Sequence, residues 1–209
     1  MKGLFLAALT LLASVSCSAG GGSKQINEET KTNNTTEMKA NGKALVIFFS
    51  HAGENYSVGN IEVGNTKIVA DYIVEQTGAD VFEIVAEKSY DMPYNQLIKL
   101  AQEEERKGEF PAYKGQVPDL SQYDTIFIGG PIWWGTYPRV MFTFFRDNDL
   151  SGKTIFPFTT HEGSGLGSTV KDLKKAYPKA DIKEGFSMYG HDVRKGRDRV
   201  EKWLKRIGF

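Results

Sequence analysis

Three stretches of this 209-residue chain gather glycine with hydroxyl, amide, imidazole or indole side chains. The first is Ser50-His51-Ala52-Gly53, then Glu54–Val63, then Gly64-Asn65-Thr66. With Glu54–Val63 set aside as an insertion, Ser-x-Ala-Gly-Asn-Thr remains at a strand-to-helix turn. A helix N-terminus offers free N–H donors and a positive dipole end. Ser50, Asn65 and Thr66 add side-chain donors, and glycine lets backbone approach a ligand. That chemistry suits a phosphate monoester and needs no Lys or Arg. The same residues would also serve as plain turn and cap residues. The second stretch is Gly129-Gly130-Pro131-Ile132-Trp133-Trp134-Gly135. Two indoles between glycines are costly in water, and in a core each needs a large pocket and an N–H partner. A flat, rigid aromatic at a strand end suits cover for a flat ligand; one tryptophan is expected to pack and the other to touch the ligand. The third is Thr160-His161-Glu162-Gly163-Ser164-Gly165-Leu166-Gly167-Ser168.

These stretches need a scaffold that brings them together. Ala44–Phe49 is a continuous apolar run, read as a strand buried on both faces. Further strands are expected at Asp80–Val85, Thr125–Gly130, Thr154–Thr159 and Ile182–Tyr189. Pro157 marks the fourth as an edge or bulged strand. Helical spacing falls between them, at Thr66–Gln76 (with Gly78 as its stop), Tyr94–Arg106, Arg139–Phe145, Ser168–Tyr177 and Val193–Ile207. Strands alternating with helices imply parallel pairing through right-handed crossovers, hence an α/β doubly wound three-layer sandwich. Ligands bind such sheets at the carboxyl ends of strands, where strand order reverses. The three stretches follow the first, third and fourth strands.

With those residues in view, the chain over about residues 43–209 resembles the flavodoxin-like family. Ser50-x-Ala52-Gly-Asn65-Thr66 resembles its phosphate loop, with Ala52 where the family carries a hydroxyl. The inserted Gly53-Glu54-Asn55-Tyr56 and the Gly130-Pro131-Ile132-Trp133-Trp134-Gly135 run resemble one subfamily. The resemblance implies a five-stranded parallel sheet in the order 2-1-3-4-5 and a non-covalent FMN that carries the chemistry, with no catalytic side chain. It implies cofactor contacts from Ser50, His51, Ala52, Asn65 and Thr66 at the phosphate end, and from Pro131, Ile132, Trp133, Trp134 and Gly135 beside the ring. His161, Glu162, Gly163, Ser164 and Gly165 would line the pyrimidine edge. Gly135 would turn a carbonyl toward the flavin, and Tyr56 would fold over it. Family members often place a tyrosine in the third loop to stack on the outer ring face. His161 and Glu162 stand here instead, which implies a more open face.

Other chemistry is weighed against this. Gly163, Gly165 and Gly167 do not have the dinucleotide spacing and are not on the first turn. Ser151-Gly152-Lys153-Thr154 has Asp147 where a phosphate-binding Walker loop needs glycine, and it precedes a strand. No Gly-x-Ser-x-Gly elbow occurs. His51, His161 and His191 are isolated, with no metal-ligand spacing. Glu103-Glu104-Glu105 reads as a solvated helix face. The formal net charge of +0 and the absence of a basic run argue against a nucleic-acid partner.

The N-terminal end differs from the rest. Residues 1–16 read as a signal peptide, with Lys2 before the apolar Leu4–Val15. Cys17, the single cysteine, directly follows, and the arrangement resembles a bacterial lipoprotein signal, although Ser14 stands where that pattern has leucine. A plain cleaved signal is the alternative. Residues 18–41 read as a polar tether. The expectation is an FMN domain over residues 42–209, held at a bacterial envelope membrane only through lipid on Cys17. Its partner would be a redox protein or a small electron acceptor. Three functions stay open: an electron carrier, an FMN-dependent NAD(P)H:quinone-type reductase, and a binding module that has lost its cofactor. The near-zero charge weakens the case for electrostatically steered docking of a carrier.

Overall fold

The computed structural model describes residues 42–209. The expected signal peptide, Cys17 and the whole of the expected tether lie outside the described residues.

The apolar run near the N-terminus forms β1 (Lys43–Phe48), whose residues after Lys43 are all buried. It leads through a hairpin, β2 (Gly53–Asn55) and β3 (Gly59–Ile61), into α1 (Asn65–Thr77). Gly78 ends α1 in the left-handed conformation, donating its N–H to the Val74 carbonyl. The chain continues through β4 (Asp80–Glu83), β5 (Val85–Ala86), α2 (Tyr94–Lys107) and β6 (Tyr113–Lys114). There follow β7 (Tyr123–Pro131), α3 (Arg139–Asp147), β8 (Thr154–His161) and α4 (Thr169–Ala176). The last elements are β9 (Asp181–Ile182), β10 (Phe186–Tyr189), a 3₁₀ turn at Gly190–Lys195 and α5 (Arg197–Ile207).

The main sheet is parallel and runs β4-β1-β7-β8, with β9 and β10 sharing the fifth position beside β8. Counted over these five positions, the order is 2-1-3-4-5, as expected. Side chains alternate across the sheet because successive strand residues face opposite sides. Leu45, Ile47, Ile126, Ile128 and Ile155 pack on one face with Leu97 of α2, Phe144 of α3 and Leu173 of α4. Val46, Phe48, Phe127, Phe156 and Phe158 pack on the other with Val69 and Ile73 of α1 and Trp203 of α5. Both faces are therefore covered, which explains why β1 reads as an unbroken apolar run.

Pro157 does not mark an edge. It lies in β8, between β7 and the fifth position, and pairs with Ile128. Its missing N–H is accommodated on the other side, where the fifth strand is interrupted. Ile155 pairs with Ile182 but Phe158 with Phe186, so that position holds one extra residue opposite Pro157. The helix expected over Val193–Ile207 begins as α only at Arg197, after the 3₁₀ turn. Glu104 is not solvated. It is 3% exposed and accepts a hydrogen bond of 2.9 Å from the Tyr90 hydroxyl. Among the described residues, no helix is long and apolar enough to cross a membrane.

Candidate functional site

The carboxyl ends of β1, β7 and β8 deliver the three glycine-bearing loops to one edge of the sheet, where a cavity of about 350 Å³ opens. Its polar end is the start of α1. Asn65 and Thr66 are both buried there, and among the described residues no acceptor meets either backbone N–H. Thr66 Oγ1 lies 2.7 Å from Thr160 Oγ1, which joins the first loop to the third. Gly64 permits this approach, since a Cβ on it would stand 2.2 Å from Ser50 Oγ and 2.7 Å from the His51 carbonyl.

The Trp loop forms one wall. Trp133 and Thr136 exchange backbone hydrogen bonds of 2.9 and 3.2 Å. Trp134 and Gly135 between them have φ values of +49° and +89°. Positive φ at both central residues makes a type I′ turn, unusual with a tryptophan at its first central position. The turn sends the two indoles in different directions. Trp133 packs edge-on against Phe49, His51 and Tyr90, at centroid distances of 5.5, 5.7 and 5.1 Å. Trp134 is 52% exposed and donates its indole N–H to the Ile98 carbonyl at 3.0 Å. Both line the cavity, so the expectation that one packs and the other lies open to a ligand holds for the packing.

The inserted residues become the opposite wall. Their hairpin is fastened to α2 by Glu54, whose carboxylate accepts the Tyr94 N–H at 2.7 Å, and by Tyr56 stacked on Tyr94 at 6.1 Å. Leu97, Ile98 and Ala101 of α2 add an apolar side. His51 sits at the junction, 7% exposed, with Nε2 aimed at no partner. Burial is the main cause that lowers its pKa, against smaller upward contributions from the Glu54 backbone and Asp91. Among the described residues two other buried side-chain polar atoms lack partners, Tyr177 Oη and Trp203 Nε1, but neither residue lines the cavity.

The third loop carries the remaining charge. Burial also lowers the His161 pKa, opposed by Glu162. Glu162 accepts from the His191 backbone N–H at 3.0 Å and lies 2.6 Å from His191 Nδ1. No Lys or Arg lines the cavity.

Of the residues expected from sequence, His51, Asn65, Thr66, Pro131, Ile132, Trp133, Trp134, His161, Glu162 and Ser164 line this cavity. Ser50, Ala52, Gly135, Gly163 and Gly165 do not. Ser50 Oγ accepts the Lys67 N–H at 3.0 Å and so caps α1. Ala52 is exposed. The Gly135 carbonyl accepts the Ser168 N–H at 2.8 Å, so it faces the third loop and not the cavity. Gly163 N–H is bound to His161 Nδ1 and the Gly165 carbonyl to Thr159 Oγ1, each at 2.9 Å. Sequence reading placed Thr160 in the third loop without a contact role, and it missed Gly190 and the α2 contributors. The apolar stripe of α2 was visible, but a stripe at helical spacing does not tell core from cavity wall.

Such a fold, with a helix N-terminus, paired hydroxyls and indoles around one cleft at the switch between β1 and β7, defines a doubly wound α/β domain whose cleft lies where such sheets bind ligands. The sequence model of the flavodoxin family matches residues 43–207, and the chain belongs to that family. A solved structure from Bacteroides eggerthii, described as a candidate flavoprotein, is 31% identical, with a TM-score of 0.64 over 81% of this chain and 99% of its own. Another so described, from Bacteroides uniformis, is 30% identical, with a TM-score of 0.65 over 78% and 98% of the two chains. A Lactobacillus acidophilus flavoprotein solved in complex with FMN is 20% identical, with a TM-score of 0.56 over 78% of this chain and 98% of its own. No curated protein matches the chain. Membership of this family supports a flavin as the cofactor class.

Proposed function

We propose that this chain is an FMN-binding redox protein that passes electrons through a non-covalently held flavin. The observation that carries the reading is the cleft's polar end, where the unbonded N–H groups of Asn65 and Thr66 stand beside the buried Thr66–Thr160 hydroxyl pair. Those groups match the chemistry of a phosphate monoester without any cation. The unpartnered His51 Nε2 is a second sign that the cleft is shaped for a polar ligand. The FMN named for the Lactobacillus acidophilus protein supports the same choice.

In this reading the first turn of α1 holds the phosphate and the Asn65 amide adds a donor. Trp133, Trp134 and Ile132 flank the ring, and His51 meets a polar atom of the ligand. The hairpin stapled to α2 shields one side from water. FMN, when bound, supplies one- and two-electron redox chemistry.

Carrier and reductase share this site. The reductase reading is favoured by the apolar side formed by Tyr94, Leu97, Ile98 and Ala101, which suits an organic electron acceptor. Apo-protein titrated with FMN should take up one flavin per chain, and a protein that stays colourless refutes the proposal. Stopped-flow mixing of the loaded protein with NADPH separates the two forms: rapid bleaching indicates a reductase, and no bleaching a carrier.

A further inference from the structure

The rim of the cleft holds a carboxylate where the proposed cofactor brings its own negative charge. Glu162 is 12% exposed as a side chain. It reaches toward the start of α1. A Cβ built on Gly190 would lie 2.5 Å from Asn65 Nδ2 and 2.8 Å from Glu162 Oε1, so both groups crowd one point beside the phosphate end. A bare carboxylate there repels a phosphate monoester, and no Lys or Arg lines the cavity to offset it.

One group does offset it. The half-exposed His191 ring stands with Nδ1 2.6 Å from Glu162 Oε2, and its backbone N–H holds Oε1 at 3.0 Å. A protonated imidazole turns this contact into an ion pair and cancels the rim charge; a neutral one leaves Glu162 negative. The other charged groups around His191 are accounted for. Asp192 Oδ1 lies 3.9 Å from His191 Nε2, while Asp192 Oδ2 is itself 3.6 Å from Arg199. His161 approaches from β8, its ring 4.6 Å from that of Tyr189, which in turn lies 5.1 Å from the His191 ring. His161 takes its lowered pKa first from burial and so contributes little positive charge.

We infer that the Glu162–His191 pair links phosphate recognition to protonation: the cleft holds a phosphate-bearing flavin more tightly when His191 carries its proton, and it holds a phosphate-free flavin equally well either way. The inference rests on the FMN reading. A purely structural clamp between the third loop and the 3₁₀ turn would treat both ligands alike.

The test compares FMN and riboflavin dissociation constants for the full chain at a series of pH values from about 5.5 to 8.5, by flavin fluorescence quenching, in the wild type, His191→Gln and Glu162→Gln. His191 is on the surface, so its variant leaves the core intact. FMN affinity of the wild type should fall with rising pH by about three- to tenfold more than that of Glu162→Gln, while riboflavin changes less than about twofold. His191→Gln should bind FMN at every pH as weakly as the wild type does at high pH. Titration of the FMN phosphate is common to all three proteins and cancels in the comparison. Tight FMN binding with the same pH slope in all three, or a riboflavin slope equal to that of FMN, overturns the link and leaves the cofactor reading standing. Failure of the wild type to bind FMN at any pH overturns both.

Discussion

The hydroxyls of Thr66 and Thr160 meet at 2.7 Å, with 1% and 3% of their residues exposed, and so couple the first turn of α1 to the end of β8. One residue comes from the loop read as a phosphate site and the other from 94 positions further along the chain. Replacing either with valine leaves the other hydroxyl buried without that partner, at a cost of about 1–3 kcal/mol. Thermal denaturation of Thr66→Val, Thr160→Val and the double variant should show the double costing less than the two singles combined, because it removes both polar groups. FMN binding should weaken more than riboflavin binding in Thr66→Val, as calorimetric titration of both ligands would reveal.

His51 carries a nitrogen that the protein buries and leaves unpaired. Substitution by phenylalanine removes that atom and keeps a ring against Trp133. The apo-protein should hold its stability or gain about 1 kcal/mol, while FMN affinity falls about tenfold through loss of one buried hydrogen bond. The pH dependence has a definite sign. Burial sets the folded pKa below the ordinary value of 6.5, so this group's contribution to stability is complete above that value. It declines as pH falls from 6.5 toward the lowered folded pKa, because the unfolded chain takes up the proton first. Denaturant melts of apo wild type and His51→Phe between pH 7.5 and about 5 should diverge on the acid side, with the wild type losing more.

Glu104 presents the opposite case. Burial raises its pKa above the ordinary value of 4.5, against the lowering effect of the Tyr90 hydrogen bond. Stability from this group is complete below 4.5 and is lost as pH rises through the raised value. Glu104→Gln keeps an acceptor for the Tyr90 hydroxyl without the charge. The variant should be more stable than wild type at pH 7.5, by about 1 kcal/mol, and indistinguishable from it near pH 4. Differential scanning calorimetry at the two pH values checks this. Since Tyr90 packs on Trp133, the near-ultraviolet circular dichroism of the indole should stay unchanged if the hydrogen bond survives.

Trp134 occupies a left-handed position that costs a residue with a Cβ about 1–2 kcal/mol. Trp134→Gly removes that strain together with the indole contact to Ile98. The expectation is a melting temperature within a few degrees of wild type and an FMN dissociation rate raised about tenfold, as the cleft loses half of its aromatic wall. Stopped-flow release of FMN into excess apoflavodoxin-type scavenger measures the rate; an unchanged rate would show that Trp134 does not cover the ligand.

The alternation of elements, the two covered faces and the placing of the three loops were legible in the sequence because each rests on local pattern, while the sheet order came only from the family resemblance. Ala44–Phe49 alternates between two buried faces, helical spacing recurs between strands, and Gly78 stops α1 by its own backbone freedom. That one of Trp133 and Trp134 would pack was expected for the same reason, since two indoles at a glycine-flanked strand end cannot both stand in water, and Trp133 is the one that packs. What each atom of those loops does was decided only by long-range packing. Ser50 became a cap for Lys67 once Gly64 brought α1 against β1, and the Gly135 carbonyl was taken by Ser168. Pro157 found its place inside the sheet because the fifth strand breaks opposite it, and Glu104 was buried because Tyr90 waits beneath α2. The sequence by itself thus determined the elements and the strand ends at which the cleft opens. The tertiary structure alone decided which polar groups were spent on neighbours and which, as at the Asn65 and Thr66 N–H groups and His51 Nε2, have no partner among the described residues. The physical reason is that hydrogen-bond partners are assigned by three-dimensional proximity, and here they come from residues as far apart as Thr66 and Thr160.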